Sequence, residues 1–464
     1  MSQFRKYFQF LKKAVKGEHI DATTGDINKV IVLLAIPMIL EMFMESLFAI
    51  ADIFFVSKVS IQAVAVVGLT ESTLTIVYSL GFGLSMGATA LVARRMGEKD
   101  QQAATETAVQ ALYIAAIVSA CISLVGIFFS ENILSMLGAK PELVEYGAGF
   151  TRWMYTGNFV IMFLFMINGI FRGAGDAGIA MRSLWIANLI NIALDPLFIF
   201  GIGFFPELGL KGAAVATTIG RGCGVLYQLY YLTNGKSAIR LKGAIWKFRK
   251  DVAAKLVSIS SGATGQFIIA SSSWIFLMSI ISRYGEEALS GYTLGIRVLI
   301  FILLPAWGFS NAAATFTGQN LGAKLPERAE TGVWRTGRIN MAYMGFVTLL
   351  FLFIPDHLLR LFTTDKAVID QGVLCLRIMS LGFIFYGYEM VMSNAFNGAG
   401  DSRTPTIINI FGFWLLQIPL AYGLAIALGL GSTGVFIAVP VSESAMAVAF
   451  ILLFRKGRWK KVVI

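Results

Sequence analysis

Long, mostly apolar runs alternate with short polar connections along the whole chain. Twelve such runs stand out, at about 31–57, 64–92, 106–129, 147–171, 183–204, 210–233, 253–282, 291–319, 334–355, 369–396, 405–428 and 432–454. Each is long enough for a helix to cross a bilayer, which takes roughly 20 mostly apolar residues. The pattern predicts an all-α polytopic membrane protein: twelve transmembrane helices in two six-helix lobes related by a pseudo-twofold axis along the membrane normal. The only long polar connection is 234–252, near the middle. The expected organisation is a cytoplasmic amphipathic segment (1–30), an N-lobe (31–233), a cytoplasmic linker (234–252), a C-lobe (253–454) and a basic cytoplasmic tail (455–464).

Two lobes are expected because the sequence repeats itself. On a shift of 225 residues, Gly83, Gly97 and Lys99 fall on Gly308, Gly322 and Lys324, and Phe171-Arg-Gly-Ala-Gly-Asp176 falls on Phe396-Asn-Gly-Ala-Gly-Asp401. A three-residue gap brings Gly209-Leu-Lys-Gly212 onto Gly431-Ser-Thr-Gly434. Each half has an even number of spans, so both share one orientation. In folds repeated this way substrates bind between the halves near the midplane.

Composition agrees with the pattern: 56% of residues are hydrophobic and 14% charged, with 47 glycines that permit close helix packing. Cys121, Cys223 and Cys375 lie far apart in apolar stretches and read as small core residues. The net charge of +11 does not point to nucleic acid, because its distribution is topological. The two termini and the even-to-odd connections carry 25 Lys and Arg, the other face 5. By the positive-inside rule both termini are cytoplasmic, in a multi-pass protein of the cytoplasmic (inner) membrane. Near the N-terminus, Phe4, Tyr7, Phe8 and Leu11 with Arg5, Lys6, Lys12, Lys13 and Lys16 suggest a basic amphipathic helix on an anionic leaflet.

Charged groups inside a bilayer cost about 2.5–3.5 kcal/mol each on insertion scales, so by default they mark a pathway. The first span carries Glu41, Glu45 and Asp52 within roughly 40° of one another on one helix face. The fifth adds Asp195 with Asn191 one turn earlier; the sixth adds Thr217. Asp52, Asn191, Asp195 and Thr217 form an oxygen-only set suited to Na⁺ or to shared protons, the only metal site expected. Taking up an ion changes the charge of such a site and biases two conformations that bind it unequally. Glu41, Glu45, Asn158, Asn168, Gln266 and Glu389 are candidates for the substrate cavity, although Glu389 could instead pair with Arg297. Pro37 removes a backbone hydrogen bond in the first span and permits a bend. On the repeat diagonal Asp52 falls on Leu277 and Asn191 on Leu416, and with the gap Thr217 falls on Val439. The ion chemistry is therefore expected in the first half only, with the second as the wall against which it moves.

The chain resembles the multidrug and toxic compound extrusion (MATE) transporters over essentially its whole length. The resemblance rests on Ala35-Ile-Pro37 followed by Ala51-Asp-Ile-Phe54, Gly83 through Arg94-Arg-Met-Gly-Glu98, and Phe171-Arg-Gly-Ala-Gly-Asp176. It continues through Asn191-Ile-Ala-Leu-Asp-Pro196, Gly212-Ala-Ala-Val-Ala-Thr217 and Gly318-Gln-Asn-Leu-Gly322. It implies an antiporter that expels organic, often cationic, compounds against an inward H⁺ or Na⁺ gradient by rocking two lobes. It assigns the ion site to Asp52, Asn191, Asp195 and Thr217, and a helix bend to Pro37. Ser271-Ser-Ser273 lacks an acid that one branch has in helix 7, and Glu389 is displaced from that branch's helix-10 acid. Both departures favour the DinF-like branch.

The expected partners are small organic substrates and membrane lipids, with no nucleic acid, no cofactor beyond the coupling ion, and a monomeric state. A lipid or lipid-linked oligosaccharide flippase of the same superfamily is the alternative, disfavoured by the acidic first helix. A membrane enzyme is not expected: no HExxH and no intramembrane histidine is present.

Overall fold

The computed structural model describes residues 13–15 and 18–464. The expected amphipathic residues at 1–12, and Lys16, lie outside the described residues. The first lobe contains α1 (Ile27–Ser57), α2 (Ile61–Gly97), α3 (Gln101–Met136), α4 (Pro141–Ala174, interrupted at Gly157), α5 (Ala177–Phe200) and α6 (Leu210–Thr233). The second contains α7 (Lys250–Tyr284), α8 (Glu286–Gly322), α9 (Pro326–Phe353), α10 (Lys366–Ser380 and Phe383–Gly398, bent by 60°), α11 (Arg403–Ala427) and α12 (Ser432–Arg455). Ten of these are long and apolar enough to cross a membrane, and the bent pair of α10 makes an eleventh. The twelfth, α6, is diluted by Lys211, Arg221 and Gln228. It is tolerated because Arg221 and Gln228 are buried inside the lobe, away from lipid. Helix starts follow local chemistry. Asp26, Ser60, Asp100 and Asp365 each accept a hydrogen bond from a backbone N–H of the first turn.

The repeat is visible in the backbone. The only non-glycine residues with positive φ among the described residues are Lys99 and Lys324, both at 59° and one repeat apart. Gly175 (φ 84°) and Gly400 (φ 90°) close the motif that ends in Asp176 and Asp401. Helices α6 and α12 each have 24 residues and start after a glycine of matching conformation, Gly209 (φ 54°, ψ −133°) and Gly431 (φ 61°, ψ −144°). The three-residue gap therefore falls before these helices.

The lobes meet through glycines arranged with the same pseudo-twofold symmetry. A methyl group on Gly97 would overlap the Gln319 carbonyl oxygen, and one on Gly322 would overlap that of Arg94. These four positions are two repeat pairs. Deeper in, Gly83 packs on Ser260 and Thr264, and Gly308 on Ile39, again as repeat pairs. Helix α1 thus packs on α8, and α7 on α2, across the interface. Backbones approach this closely only where Cβ is missing.

Both terminal segments reinforce this end. Ala22 donates its N–H to Gln319 Oε1 (2.9 Å), and its carbonyl accepts from Asn320 (3.1 Å) and Arg328 (3.4 Å). His19 pairs with Asp176 of the first lobe (2.9 Å). From the other end, Arg94 and Arg95 donate to the carbonyls of Val462 (2.6 Å) and Ile464 (3.3 Å). Among the described residues, every hydrogen bond between the lobes lies on this side. Beyond the ring contacts Phe82–Phe267 (5.3 Å) and Phe43–Phe301 (6.4 Å), Leu47 and Ile50 of α1 and Ile275 and Phe276 of α7 are exposed. The lobes are closed at the face that carries the termini and splay toward the other. Segment 234–249 stays with the first lobe: Ile239 and Leu241 enter its core, and Lys247 O accepts from Gln110.

Two predictions follow from this closed end. Gly97→Leu forces overpacking at the crossing of α2 and α8, at a cost of roughly 1–3 kcal/mol. The apparent melting temperature of the detergent-purified protein should fall, while Gly68→Leu, which meets open space, should leave it unchanged. His19 is held above its ordinary value of about 6.5, first by the hydrogen bond to Asp176, then by the charges of Asp176 and Asp21. A raised imidazole stabilises the fold fully below its unfolded value, and that contribution disappears as pH rises through the folded value. The melting temperature of His19→Gln should therefore lie below wild type in mild acid and converge with it in mild alkali. A gap that widens with pH would contradict the pairing.

Candidate functional site

Two polar regions stand out, one buried within the first lobe and one on the cleft wall of the second. In the first lobe the expected oxygen set is assembled. With its amide nitrogen turned to Asp195 Oδ2 (3.1 Å), Asn191 accepts through its oxygen from Thr217 Oγ1 (3.1 Å) and from the Thr217 N–H (2.9 Å). Asn191 and Asp195 are buried on α5 and Thr217 on α6. Asp52, half-buried on α1, is the charge that bears on Asp195, and it accepts no side-chain hydrogen bond among the described residues. Two carboxyl groups, one amide and one hydroxyl thus converge from three helices.

The acids about two and three turns before Asp52 are engaged by arginines of their own lobe. Arg221 of α6 holds both Glu45 oxygens (2.6 and 3.2 Å), stacks over the Phe48 ring (4.9 Å), and shares Glu45 with Asn188 (3.0 Å). Arg172 of α4 lies 3.8 Å from Glu41, and Asn168 donates to the same carboxylate (3.1 Å). Asn168 in turn accepts from Gln228 (2.6 Å) and Ser183 (3.1 Å). Glu41 and Glu45 are therefore charge-matched within the lobe and lie outside the cavity wall. Asn158 also points away from the cavity, bonding Ser119 O and Tyr155 O. Pro37 sits inside an unbroken α1, buried one turn before Glu41.

A cavity of about 580 Å³ occupies the cleft, and most of its wall belongs to the second lobe. Methionines 42, 86, 278 and 390 and the rings of Phe82, Phe267, Trp274, Tyr292, Trp307 and Tyr386 form its apolar surface. Gln266 and Asn397 exchange two hydrogen bonds (both 3.0 Å) at its inner end. Glu389 lines it as expected, but its partner is not Arg297. Arg297 is exposed on the wall and makes no ion pair among the described residues. Glu389 instead faces Glu443 of α12, carboxyl to carboxyl within hydrogen-bonding reach. Both are buried and line the cavity. The second lobe thus carries a pair of acids where the sequence pointed to Glu389 alone. Glu443 was detectable, as a lone acid in the middle of the apolar run 432–454. Arg221, within the run 210–233, carried the same signal in the first half.

The MatE family model matches this chain twice, over residues 37–197 and 263–423, one copy in each lobe and together well over half of the chain. The chain belongs to this family of membrane transporters. It is 26% identical to a probable multidrug resistance protein NorM of Thermotoga maritima, over 94% of both chains. It is 25% identical to a FAD transporter of Shewanella oneidensis, over 92% of this chain and 94% of that one. A solved outward-facing multidrug resistance MATE transporter superimposes with a TM-score of 0.89 at 26% identity, covering 96% and 99%. A MOP superfamily transporter from Pyrococcus furiosus gives the same values, with a binding pocket described as of reverse polarity.

The Glu45–Arg221 pair yields a stability prediction. Arg221→Gln leaves a carboxylate without its cation and should cost on the order of 3 kcal/mol, whereas Glu45→Gln/Arg221→Gln should recover most of the loss. Thermal unfolding of the three variants measures this directly. A double variant as unstable as Arg221→Gln would mean that the guanidinium's packing, not its charge, is what matters.

Proposed function

We propose that this protein is a secondary active antiporter that exports organic cations of the multidrug type in exchange for H⁺ or Na⁺. The observation that carries this reading is the separation of two sites across one cleft. The oxygen cluster of Asp52, Asn191, Asp195 and Thr217 sits in the first lobe, and the aromatic, methionine-rich cavity belongs mainly to the second. An ion entering the cluster changes its charge by one unit without touching the substrate wall. Its effect reaches the substrate through the equilibrium between cleft openings, the requirement for coupled exchange. The halves 31–233 and 253–454 serve as the two moving bodies, with 234–252 between them.

Several features support the details. The excess of Lys and Arg on the terminal face favours cytoplasmic termini in the inner membrane, so the cleft opens outward. Flexible thioethers and rings accept differently shaped apolar bodies. Glu389 and Glu443 favour a cationic head group and disfavour a pyrophosphate cargo. The family alone does not fix the cargo, since relatives include proteins named for drugs and for FAD.

Proteoliposomes with independently imposed Na⁺ and pH gradients test the proposal, using efflux of a fluorescent organic cation as readout. One of the two gradients should drive transport. Asp52→Asn should fold normally and lose gradient-driven efflux by about a hundredfold or more, the scale expected when an ionisable coupling group is removed. Wild-type-like efflux from Asp52→Asn would remove Asp52 from the mechanism. Indifference of the wild type to both gradients would overturn antiport.

A further inference from the structure

Helices α6 and α12 are repeat equivalents of equal length with matched N-terminal glycines. Arg221 is the twelfth residue of one and Glu443 the twelfth of the other. The repeat therefore places a guanidinium at one position and a carboxyl at the equivalent one. In the first lobe Arg221 meets Glu45, and the carboxylate is matched by the protein's own planar cation over an aromatic ring. In the second lobe Glu443 meets Glu389, and among the described residues neither has a Lys or Arg partner. Glu389 Oε2 and Glu443 Oε2 have no partner, and neither has the buried hydroxyl of Tyr292 on the same cavity wall. The other charged or titratable groups lining the cavity are Arg172, which is held by Glu41, Arg297 and Tyr386.

Two touching carboxyls in a buried site cannot both stay ionised without a counter-charge. With no ligand bound they hold one proton, whose O–H donates from one carboxyl to the other. We infer that the Glu389–Glu443 pair is the head-group site of the cavity and takes a planar N–H-bearing cation, an amidinium or guanidinium, in exchange for that proton. The ligand's two nitrogens donate to the two carboxylates much as Arg221 donates to both oxygens of Glu45. The rings of Trp274, Tyr292, Trp307 and Tyr386 enclose its apolar body. The exchange balances: the pair passes from one negative charge to two, the ligand brings one positive charge, and the displaced proton leaves to water. This inference rests on reading the cavity as a site for organic cations, and it names their chemistry.

The test uses the full chain in detergent and titrates benzamidine calorimetrically at neutral pH in two buffers with different heats of ionisation. Benzyltrimethylammonium serves as the comparison: it has the same ring and charge but no N–H donor. Benzamidine should bind at least about tenfold more tightly than the comparison and release about one proton per ligand, as for a coupled pair that shares one. Glu389→Gln and Glu443→Gln should each abolish the release and weaken benzamidine at least about tenfold, while each elutes as a monodisperse peak with a melting temperature at or above wild type. Equal affinities for the two compounds would overturn the head-group chemistry. Benzamidine binding and proton release unaffected by both substitutions would overturn the site. If wild-type transport ignores ion gradients while binding follows this pattern, antiport falls and the site stands. If transport is gradient-driven and the pattern is absent, the site falls and antiport stands.

Discussion

The close approach of two backbones at one end of the cleft organises the rest of the molecule. Gly97 and Gly322 let α2 and α8 cross with carbonyl oxygens where Cβ atoms would otherwise be, and each glycine meets the repeat partner of the residue the other meets. In lipid, apolar side chains gain little by leaving their solvent, so association depends on packing and hydrogen bonds. A glycine crossing supplies the first. The terminal segments supply the second, by laying Ala22 across Gln319 and Asn320 and Val462 across Arg94. With one end fixed this tightly, the same helices diverge at the other end and leave room for a cavity. Cavity and closure are two consequences of one crossing.

The duplication that creates this frame also makes departures from symmetry easy to recognise. Packing positions are kept in both copies: the interface glycines, the left-handed lysines and the caps of α6 and α12. The charged and polar positions within the spans are not. Arg221 answers to Glu443, Asp52 to Leu277, and Thr217 to Val439. A buried charge is costly wherever it stands, so each lobe must match its own. The first lobe does so for Glu45 with Arg221 and for Glu41 with Arg172, and leaves Asp52 and Asp195 without an ion pair among the described residues. The second has two acids and no cation to answer them, so the match has to come from a proton or a ligand. The frame is symmetric while the electrostatics are divided between the copies.

This division explains what was legible in the chain. Spans are legible because a bilayer requires long apolar runs whose backbone polar groups bond internally, and the repeat because packing glycines cannot be replaced. Asp195, Asn191 and Thr217 were readable as a set because they lie on consecutive helices. The Glu389–Glu443 pair was not. Neither acid carries a spacing that points to the other, and the meeting of α10 with α12 is a tertiary fact. The arginines were hidden differently: Arg172 sits near a polar connection and counted as a topological charge. Glu41 and Glu45 then looked like unmatched acids, although a guanidinium stands against each.

Helix α1 joins the two kinds of constraint. Ile39, near its start, is held against Gly308 of the other lobe. Glu41 and Glu45 are held by arginines of its own lobe, and Asp52, near its far end, has no hydrogen bond. Its tether therefore weakens from the closed end of the cleft toward the open end. Pro37 lies just before the tight contact, where α1 already lacks one backbone hydrogen bond. On the proposed antiport, a helix fixed at one end, weakened beside that fixed point and free at a titratable group on the other end would act as a lever. Asp52 lies in the field of Glu71 and Arg221, and its own charge bears on Asp195. Glu389 and Glu443, on helices of the other lobe, do not lie on this lever. A ligand held there is carried by the lobe that α1 packs against at Gly308, so on the proposed reading the two polar regions communicate through that interface.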